Sequence, residues 1–375
     1  MRKLILPILV LLAAAVSCKE VQVQPRPTIS LVHVIVADTA GTGHLAAMAG
    51  QPGGSIAIIG EPENAILLAR RFQSTDRVDN VDGRAVRDSL PDFAGETFDV
   101  LMDQMNAPYA RFWTSAEKQE EAHRQTVLDS LREVAVLNAV CAWDSLGWRS
   151  TADAEPLLRK ERAKILIYTS SLQAQWGLFD VDTLQQMTGG SCLVLSPVQT
   201  LLADAYASGA RSLGVWTSRD VRNSGAWQAV FDQMGFEDAH LTVIASEPAL
   251  DIRTEFRSVL RQYRNTGRVL DALLIDSFDV DFTPLQSELA LIRGSVTAED
   301  EAFRAMMAPD FQLMEPSASI IGATYRLLRE NHLFTHRIAR PSVHYYETAE
   351  SEEGTPLLVE TTASYALSTY VPNLH

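Results

Sequence analysis

Short apolar runs recur along the chain and are separated by longer segments in which apolar residues have helical spacing. The run at residues 29–37 (ISLVHVIVA) is continuous and rich in β-branched residues, which predicts a buried strand. Further strands are predicted from the runs SIAIIG, FDVLMDQM, KILIYTSS, CLVLS, SLGVWTS, LTVIAS and ALLIDS. Strands that alternate with helical segments indicate an α/β architecture with mostly parallel sheets.

One long helix is predicted from both its start and its periodicity. Thr114 and Glu117 form a Thr-x-x-Glu capping box, which predicts that a helix begins at Thr114. Apolar residues at helical spacing then continue the pattern through Val127, Leu131, Val134 and Leu137.

The composition is that of an ordinary globular protein. The 375 residues are 46% hydrophobic and 21% charged, and the length predicts two domains or one large one. With 32 basic and 47 acidic residues the formal net charge is −15. A dedicated nucleic-acid binder needs clustered cations to neutralise phosphates, so we expect no nucleic-acid partner.

The amino terminus has the features of an export signal. An apolar run at residues 4–16 follows Arg2 and Lys3 and is too short for a transmembrane helix. Small residues then precede Cys18, which resembles a bacterial lipobox. We therefore predict a signal peptide at 1–17, a lipid-bearing Cys18 and a tether at 18–28, giving a membrane-anchored lipoprotein that faces the periplasm. The alternative is a soluble export signal.

Polar residues follow several of the predicted strands. In parallel sheets ligands bind beyond the carboxyl ends of the strands, where hydroxyls and exposed N–H groups can hold an anion such as a carboxylate. The alternative is that these residues only cap the helices that follow. The predicted strand ends are Asp38, Thr39, Gly41 and Gly43; Thr169, Ser170 and Ser171; Thr217 and Ser218; and Asp276 and Ser277.

A four-residue sequence, Phe-Asp-Val-Asp, occurs at 179–182 and again at 278–281. Its position after two polar strand ends suggests two related halves. The four aspartates could also form a cation site, but the loops lack the closely spaced third ligand of a calcium loop. We therefore favour surface carboxylates and predict no metal or cofactor. Cys141 and Cys192 fit apolar segments, so we interpret them as buried small hydrophobic residues rather than as a disulfide.

Several segments, in order, resemble the aspartate/glutamate racemase superfamily. ADTAGTGHL is similar to the family's Asp-Ser-Gly-rich loop, with Asp38 and Thr39 at the Asp-Ser positions, and APYARFWTSAEKQEE keeps the Pro-Tyr of its Pro-Tyr-Gly turn. VLSPVQTLLADAYASGARSLGVWTS and FQLMEPSASIIGATYRLLRENHLF resemble a middle and a closing segment. WTSRDVRNSGAWQAVF is similar to a Thr loop and a Ser-Gly-aromatic helix start, at Thr217, Ser224, Gly225 and Trp227. The resemblance is scattered over residues 29–335.

The chain departs from the family at the residues that do the chemistry. These racemases use two facing cysteines without a cofactor; here Tyr168 stands at the first and Ser277 at the second. An alternative placement puts Cys141 at the first, but Cys141 lies in a helical pattern. A hydroxyl is far harder to ionise than a thiol, so neither replacement is expected to act as a thiolate does.

The resemblance implies two pseudo-symmetric Rossmann-like lobes with mostly parallel sheets and a ligand cleft between them. We assign 29–174 plus 285–336 to the first lobe, 175–284 to the second, and 337–375 to a carboxyl-terminal extension. A type I periplasmic binding protein would alternate strands and helices similarly. In the racemase-like arrangement, however, the closing helix at 318–331 should return to the first lobe.

The favoured hypothesis is a protein that binds a small carboxylate or amino-acid-like ligand without two-cysteine racemisation. The second is an isomerase or lyase that uses non-thiol acid–base groups, and the third is the type I periplasmic binding protein. Candidate catalytic residues are Asp38, Tyr168, Asp276 and Ser277. Candidate ligand-binding residues are Asp38, Thr39, Gly41, Gly43, Thr169, Ser170, Thr217, Ser218 and Ser224.

The lipid anchor is tested by Cys18→Ser. If Cys18 carries lipid, the wild-type protein should sediment with membranes, and the variant should be released or remain unprocessed, because no acceptor thiol is left. Fractionation followed by immunoblotting measures this. A wild-type protein found entirely in the soluble fraction would contradict the anchor.

Overall fold

The architecture is mixed α/β, with two mostly parallel sheets. A computed structural model describes residues 27–48, 50, 54–79, 84–117, 121–153, 155–156, 158–245, 251–335, 339–350 and 356–369, so the predicted signal peptide and Cys18 lie outside the described residues. The strands, in chain order, are β1 (Ser55–Gly60), β2 (Thr97–Met102), β3 (Leu146–Gly147), β4 (Leu158–Arg159), β5 (Ala163–Tyr168), β6 (Leu193–Leu195), β7 (Ser212–Thr217), β8 (His240–Ala245), β9 (Leu270–Ile275), β10 (Met307–Met314), β11 (Ser342–Glu350) and β12 (Pro356–Thr361).

Helices connect most of these strands. They are α1 (Ser30–Ala37), α2 (Thr42–Ala47), α3 (Pro62–Ser74), α4 (Ala110–Glu117), α5 (Glu121–Trp143), α6 (Ser171–Thr188), α7 (Pro197–Ala207), α8 (Arg219–Ser224), α9 (Ala226–Met234), α10 (Ile252–Arg264), α11 (Phe282–Gly294), α12 (Ala298–Met306), α13 (Pro316–Glu330) and α14 (Ala363–Thr369). Within the described ranges, no helix is both long and apolar enough to cross a bilayer.

The first sheet has the strand order β12-β11-β2-β1-β5-β6, and the second has the order β10-β9-β7-β8. Every pairing in these two sheets is parallel except that of β11 with β12. The predicted strands at SIAIIG, FDVLM, KILIY, LVL, SLGVWT, LTVIA and ALLI are confirmed.

Both faces of each sheet are covered. On β1, Ala57 and Ile59 lie in one core cluster while Ile56 and Ile58 lie in another, because successive side chains of a strand point to opposite faces. On β9, Leu273 and Leu274 divide between two clusters in the same way. Burial on both faces explains why these strands are continuous apolar runs.

The prediction of a strand at 29–37 is wrong, because this run forms α1. The buried residues are Ile29, Val32 and Ile35, at a spacing of three, while the Val34 side chain is 66% exposed. A short apolar run does not by itself distinguish a strand from a helix that covers a sheet. A buried ion pair between Arg132 and Asp180 fixes the start of the helix, since Asp180 also accepts the Ile29 N–H.

The predicted helix start at Thr114 is also wrong. The backbone already turns at Pro108, whose carbonyl accepts the Arg111 N–H at 3.2 Å, so α4 begins at Ala110 and contains Thr114 in its interior. The predicted helical pattern from Val127 to Leu137 is confirmed in α5.

The Phe-Asp-Val-Asp repeat is not a structural repeat. Its first copy lies inside α6, where Asp180 is fully buried against Arg132. Its second copy lies in the loop before α11, where Asp281 caps the helix by accepting the Thr283 N–H. The two copies have different conformations and partners, so the repeat gives no support for related halves.

The predicted lobe boundaries do not follow the sheets. Strand β10 pairs with β9 in the second sheet although 285–336 was assigned to the first lobe, and β6 belongs to the first sheet although 175–284 was assigned to the second. The extension at 337–375 contributes β11 and β12 to the first sheet. Helix α13 returns to the first sheet, where Ile320 and Ile321 share a core cluster with Ile56. This return is the arrangement predicted for the racemase-like fold and not for a type I periplasmic binding protein.

Candidate functional site

The carboxylate of Asp276 brings together residues from both sheets. Its Oδ1 accepts a hydrogen bond from the Ser171 hydroxyl at 2.7 Å. Its Oδ2 accepts one from the Thr217 hydroxyl at 2.7 Å and one from the Trp227 indole N–H at 2.9 Å. The ends of β5, β7 and β9 therefore converge on one acidic group, as the polar strand ends predict.

The local structure explains this convergence. Asp276 directly follows β9, and its N–H continues the sheet by donating to the Trp216 carbonyl at 2.9 Å. Thr217 is the last residue of β7, and Ser171 is the first residue of α6, just beyond β5. Carboxyl ends of parallel strands lie at the same edge of a sheet, so short polar residues at these positions meet.

The electrostatics of Asp276 are set by two opposing effects. Burial raises the pKa of the Asp276 carboxyl above its ordinary value of 3.8, and the hydrogen bonds from Ser171, Thr217 and Trp227 oppose that rise. All three donors are neutral groups, and Ser171 lies in the first turn of α6, where the helix dipole favours negative charge. The group can therefore act as an acceptor for a cationic ligand or as an acid–base group.

The two residues before Ser171 have different environments. Thr169 is 3% exposed and donates its hydroxyl to the Ile59 carbonyl at 3.2 Å, so the hydroxyl proton is already used within the first sheet. Ser170 is partly exposed at the N-cap of α6, and its side chain makes no capping hydrogen bond. Ser170 is therefore the better placed of the two to contact a ligand near Asp276.

Two further predicted ligand-binding serines cap helices. The Ser218 hydroxyl accepts the Val221 N–H at 3.3 Å at the start of α8. The Ser224 hydroxyl donates to the Val221 carbonyl at 2.7 Å and accepts the Ala226 N–H at 3.1 Å. Because Ser224 already uses its donor and one acceptor within the turn, we do not retain it as a ligand-binding residue.

The predicted anion loop at Asp38, Thr39, Gly41 and Gly43 is not at a strand end. It joins α1 to α2, and the Asp38 carboxylate itself accepts the Gly41 N–H at 2.9 Å and the Thr42 N–H at 3.3 Å. A Cβ on Gly43 would lie 2.7 Å from the carbonyl oxygens of Ile35 and Asp38, so the glycine permits the tight turn. The loop's N–H groups are used by its own aspartate, and Thr39 is exposed beside it.

Tyr168 and Ser277 differ in their access to the strand ends. Tyr168 is fully buried, donates its hydroxyl to the Ala135 carbonyl at 2.7 Å, and has a pKa raised by burial. It is a core residue, which removes it as a catalytic candidate. Ser277 follows Asp276, is partly exposed, and donates its hydroxyl to Asp279.

The two described cysteines are not at the strand ends. Cys141 lies in α5 and Cys192 lies just before β6, and both are free thiols. Burial raises the pKa of each thiol to about 12, so neither is a thiolate near neutral pH. Cys192 is buried, as interpreted, whereas Cys141 is partly buried and packs against the same core cluster. The alternative placement of Cys141 as a catalytic residue is not supported.

A second acidic group at the end of β2 was not predicted. Asp103 is fully buried and accepts hydrogen bonds from the Tyr109 hydroxyl at 3.0 Å, the Asn138 amide at 3.0 Å and the Thr348 hydroxyl at 2.9 Å. Glu61, directly after β1, accepts the Tyr109 N–H at 2.9 Å. The sequence signal was present, because both acids directly follow apolar runs.

Within the part of the chain that the structure describes, no group of three or more His, Cys, Asp or Glu side chains is arranged to hold a metal ion.

Scans against protein-family models and curated proteins find no match to this chain. The solved structures similar to it include racemases. Glutamate racemase from Francisella tularensis, in complex with D-glutamate, has a TM-score of 0.45 and 12% identity over 85% of this chain and 95% of that one. The RacE1 glutamate racemase from Bacillus anthracis has a TM-score of 0.47 and 11% identity over 83% and 98%. An aspartate racemase homologue from Pyrococcus horikoshii has a TM-score of 0.38 and 8% identity over 74% and 99%.

The raised pKa of Asp276 predicts a pH dependence of stability. A carboxyl with a raised pKa holds its proton more tightly in the folded state, so its contribution to the free energy of unfolding falls as pH rises from about 3.8 through the raised value. Asp276→Asn should remove this fall. Urea unfolding of wild type and variant across the acidic range measures the difference.

Asp281→Asn is the matched control. Hydrogen bonds from Thr283 lower the pKa of the exposed Asp281 carboxyl, so its contribution is lost as pH falls, which is the opposite sign. Equal pH slopes for wild type and Asp276→Asn would show that Asp276 does not titrate as described.

Proposed function

We propose that this chain is a racemase-like protein that binds a small carboxylate or amino-acid-like ligand at the strand ends around Asp276, without two-cysteine racemisation. The observation that supports this most directly is the Asp276 carboxylate, which accepts three hydrogen bonds from neutral donors. A ligand ammonium group would supply the counter-charge. The ligand carboxylate would face the Ser170 hydroxyl and the N-terminus of α6.

Two-thiol chemistry would need two groups of suitable proton affinity. Inversion at Cα needs a base on one face and an acid on the other, each with a pKa suited to neutral pH. Cys141 and Cys192 have pKa values raised to about 12 by burial. Tyr168 is bound to the Ala135 carbonyl, and a serine such as Ser277 needs a separate base before it can act.

The proposal includes export. The chain would be held at a bacterial membrane through lipid on Cys18, facing the periplasm, and would need no cofactor. The apolar run at 4–16 and the small residues before Cys18 support this part.

A second candidate function is favoured by one observation. The raised pKa of Asp276 places a proton-accepting and proton-donating group beside the partly exposed Ser277. This pair supports an isomerase or lyase that uses non-thiol groups, in which Asp276 would be the acid–base residue.

The proposal predicts binding without inversion. Calorimetry with L- and D-aspartate, L- and D-glutamate and succinate should detect at least one ligand with a dissociation constant in the millimolar to micromolar range. Asp276→Asn should weaken that binding about tenfold or more, because a charge-assisted hydrogen bond is lost. Chiral chromatography should show no inversion, and Cα deuterium exchange should be absent.

Asp182→Asn is the matched control, since Asp182 is an exposed aspartate on α6 whose carboxylate accepts the Gln186 amide N–H one turn away. Its binding should equal that of wild type. Absence of heat with every ligand would contradict the binding function. Deuterium exchange that Asp276→Asn abolishes would instead establish the enzymatic alternative.

A further inference from the structure

A cavity of about 410 Å³ lies away from Asp276, toward the start of β2. Its walls include Thr97 and Asp99 from β2, His344 and Tyr346 from β11, Glu360 from β12, and Lys160, which follows β4. The carboxyl end of β2, where Asp103 lies, is at the opposite end of the strand. The cavity is therefore separate from the strand-end site, and a ligand bound here is independent of the proposed function.

Asp99 lines this cavity with an oxygen atom that has no partner. The residue is 1% exposed, and its Oδ2 accepts the Ser55 hydroxyl at 2.6 Å. Its Oδ1 is buried and has no hydrogen-bond partner among the described residues. Leaving a buried carboxylate oxygen unpaired is costly, so a donor from outside the chain is expected to meet it.

Lys160 supplies the opposite charge on the same wall. The side chain is 7% exposed, and its ammonium donates to the Ala142 carbonyl at 2.8 Å, in the last turn of α5. An ammonium group has three donors, so this bond leaves donors for another acceptor. The helix dipole at the carboxyl end of α5 favours a cation there.

Tyr346 adds a neutral donor. It is 4% exposed, and burial together with the negative charges of Asp99 and Glu360 raises the pKa of its hydroxyl. The hydroxyl therefore stays protonated at neutral pH and can donate to an anionic group. Glu360 is exposed and lies opposite Tyr346 in the pairing of β11 with β12.

We infer that this cavity binds a small zwitterionic amino acid, with its ammonium group on Asp99 and its carboxylate on Lys160 and Tyr346. A ligand with both charges meets the unpaired acceptor and the available donors at once. Asp99 and Lys160 attract each other electrostatically. A neutral polyol would add no charged partner for either group, and a singly charged ligand would meet only one of them.

The test is calorimetry on the purified chain with three zwitterions of increasing length: glycine, β-alanine and γ-aminobutyrate. At least one should bind. Propionate, ethylamine and glycerol carry one charge or none and should each bind about tenfold or more weakly than the best zwitterion. This comparison uses wild-type protein alone, so it does not depend on any variant folding.

Two variants test whether the ligand contacts Asp99 and Lys160. Asp99→Asn keeps the side-chain shape and an acceptor for Ser55 but turns a donor amide toward the cavity, and Lys160→Met keeps the chain length without its donors. Each should weaken the best zwitterion about tenfold or more. Asp238→Asn removes an exposed aspartate that pairs with Arg211 in another part of the fold and should leave binding unchanged.

Three results would overturn the inference. Binding of propionate, ethylamine or glycerol as tight as that of the zwitterions would exclude recognition of both charges. No heat with any zwitterion would mean that water alone meets Asp99. Zwitterion binding that Asp276→Asn abolishes and Asp99→Asn leaves intact would place the ligand at the strand ends, which supports the proposed function and contradicts this site.

Discussion

The carboxylate of Asp276 lies where the six-stranded and four-stranded sheets meet, and its hydrogen bonds link their strand ends. Ser171 reaches it from the helix that follows β5, while Thr217 and Trp227 reach it from the second sheet. A buried carboxylate is costly unless its oxygens are hydrogen-bonded, and three donors meet that requirement here. The same bonds that join the sheets therefore also hold an acidic group at the carboxyl ends of the strands.

Two buried aspartates of the first sheet, Asp103 and Asp99, differ in how completely their carboxylate oxygens are hydrogen-bonded. Asp103 is enclosed by Tyr109, Asn138 and Thr348, so its oxygens are used in holding β2, α5 and β11 together. Asp99, the third residue of β2 and four residues before Asp103, keeps one oxygen unpartnered within the described structure and lines a cavity. The two aspartates thus have different roles, because the neighbours of Asp103 bond both of its oxygens, whereas those of Asp99 bond one.

The sequence was sufficient to predict the α/β class and the strands β1, β2 and β5 to β9, because strands buried on both faces are continuous apolar runs. The same signal failed at α1, where an apolar run covers the sheet as a helix. Strand β11 (SVHYYETAE) is half exposed and mixes polar with apolar residues, so its place in the sheet depends on pairing with β2. The meeting of Ser171, Thr217 and Asp276 could be predicted, because each follows or ends a predicted strand. The partners of Asp103 and Asp99 could not be predicted, because no local spacing in the sequence indicates them.

The central claim, that Asp276 couples the two sheets, is tested most directly by a double-mutant cycle on the free energy of unfolding with Ser171→Ala and Asp276→Ala. The account predicts a coupling energy of about 1–3 kcal/mol, because the Ser171 hydroxyl donates to a carboxylate across the junction. A parallel cycle with Ser224→Ala should give a coupling near zero, since Ser224 bonds only within its own turn. A Ser171–Asp276 coupling as small as that of the control cycle would contradict the account.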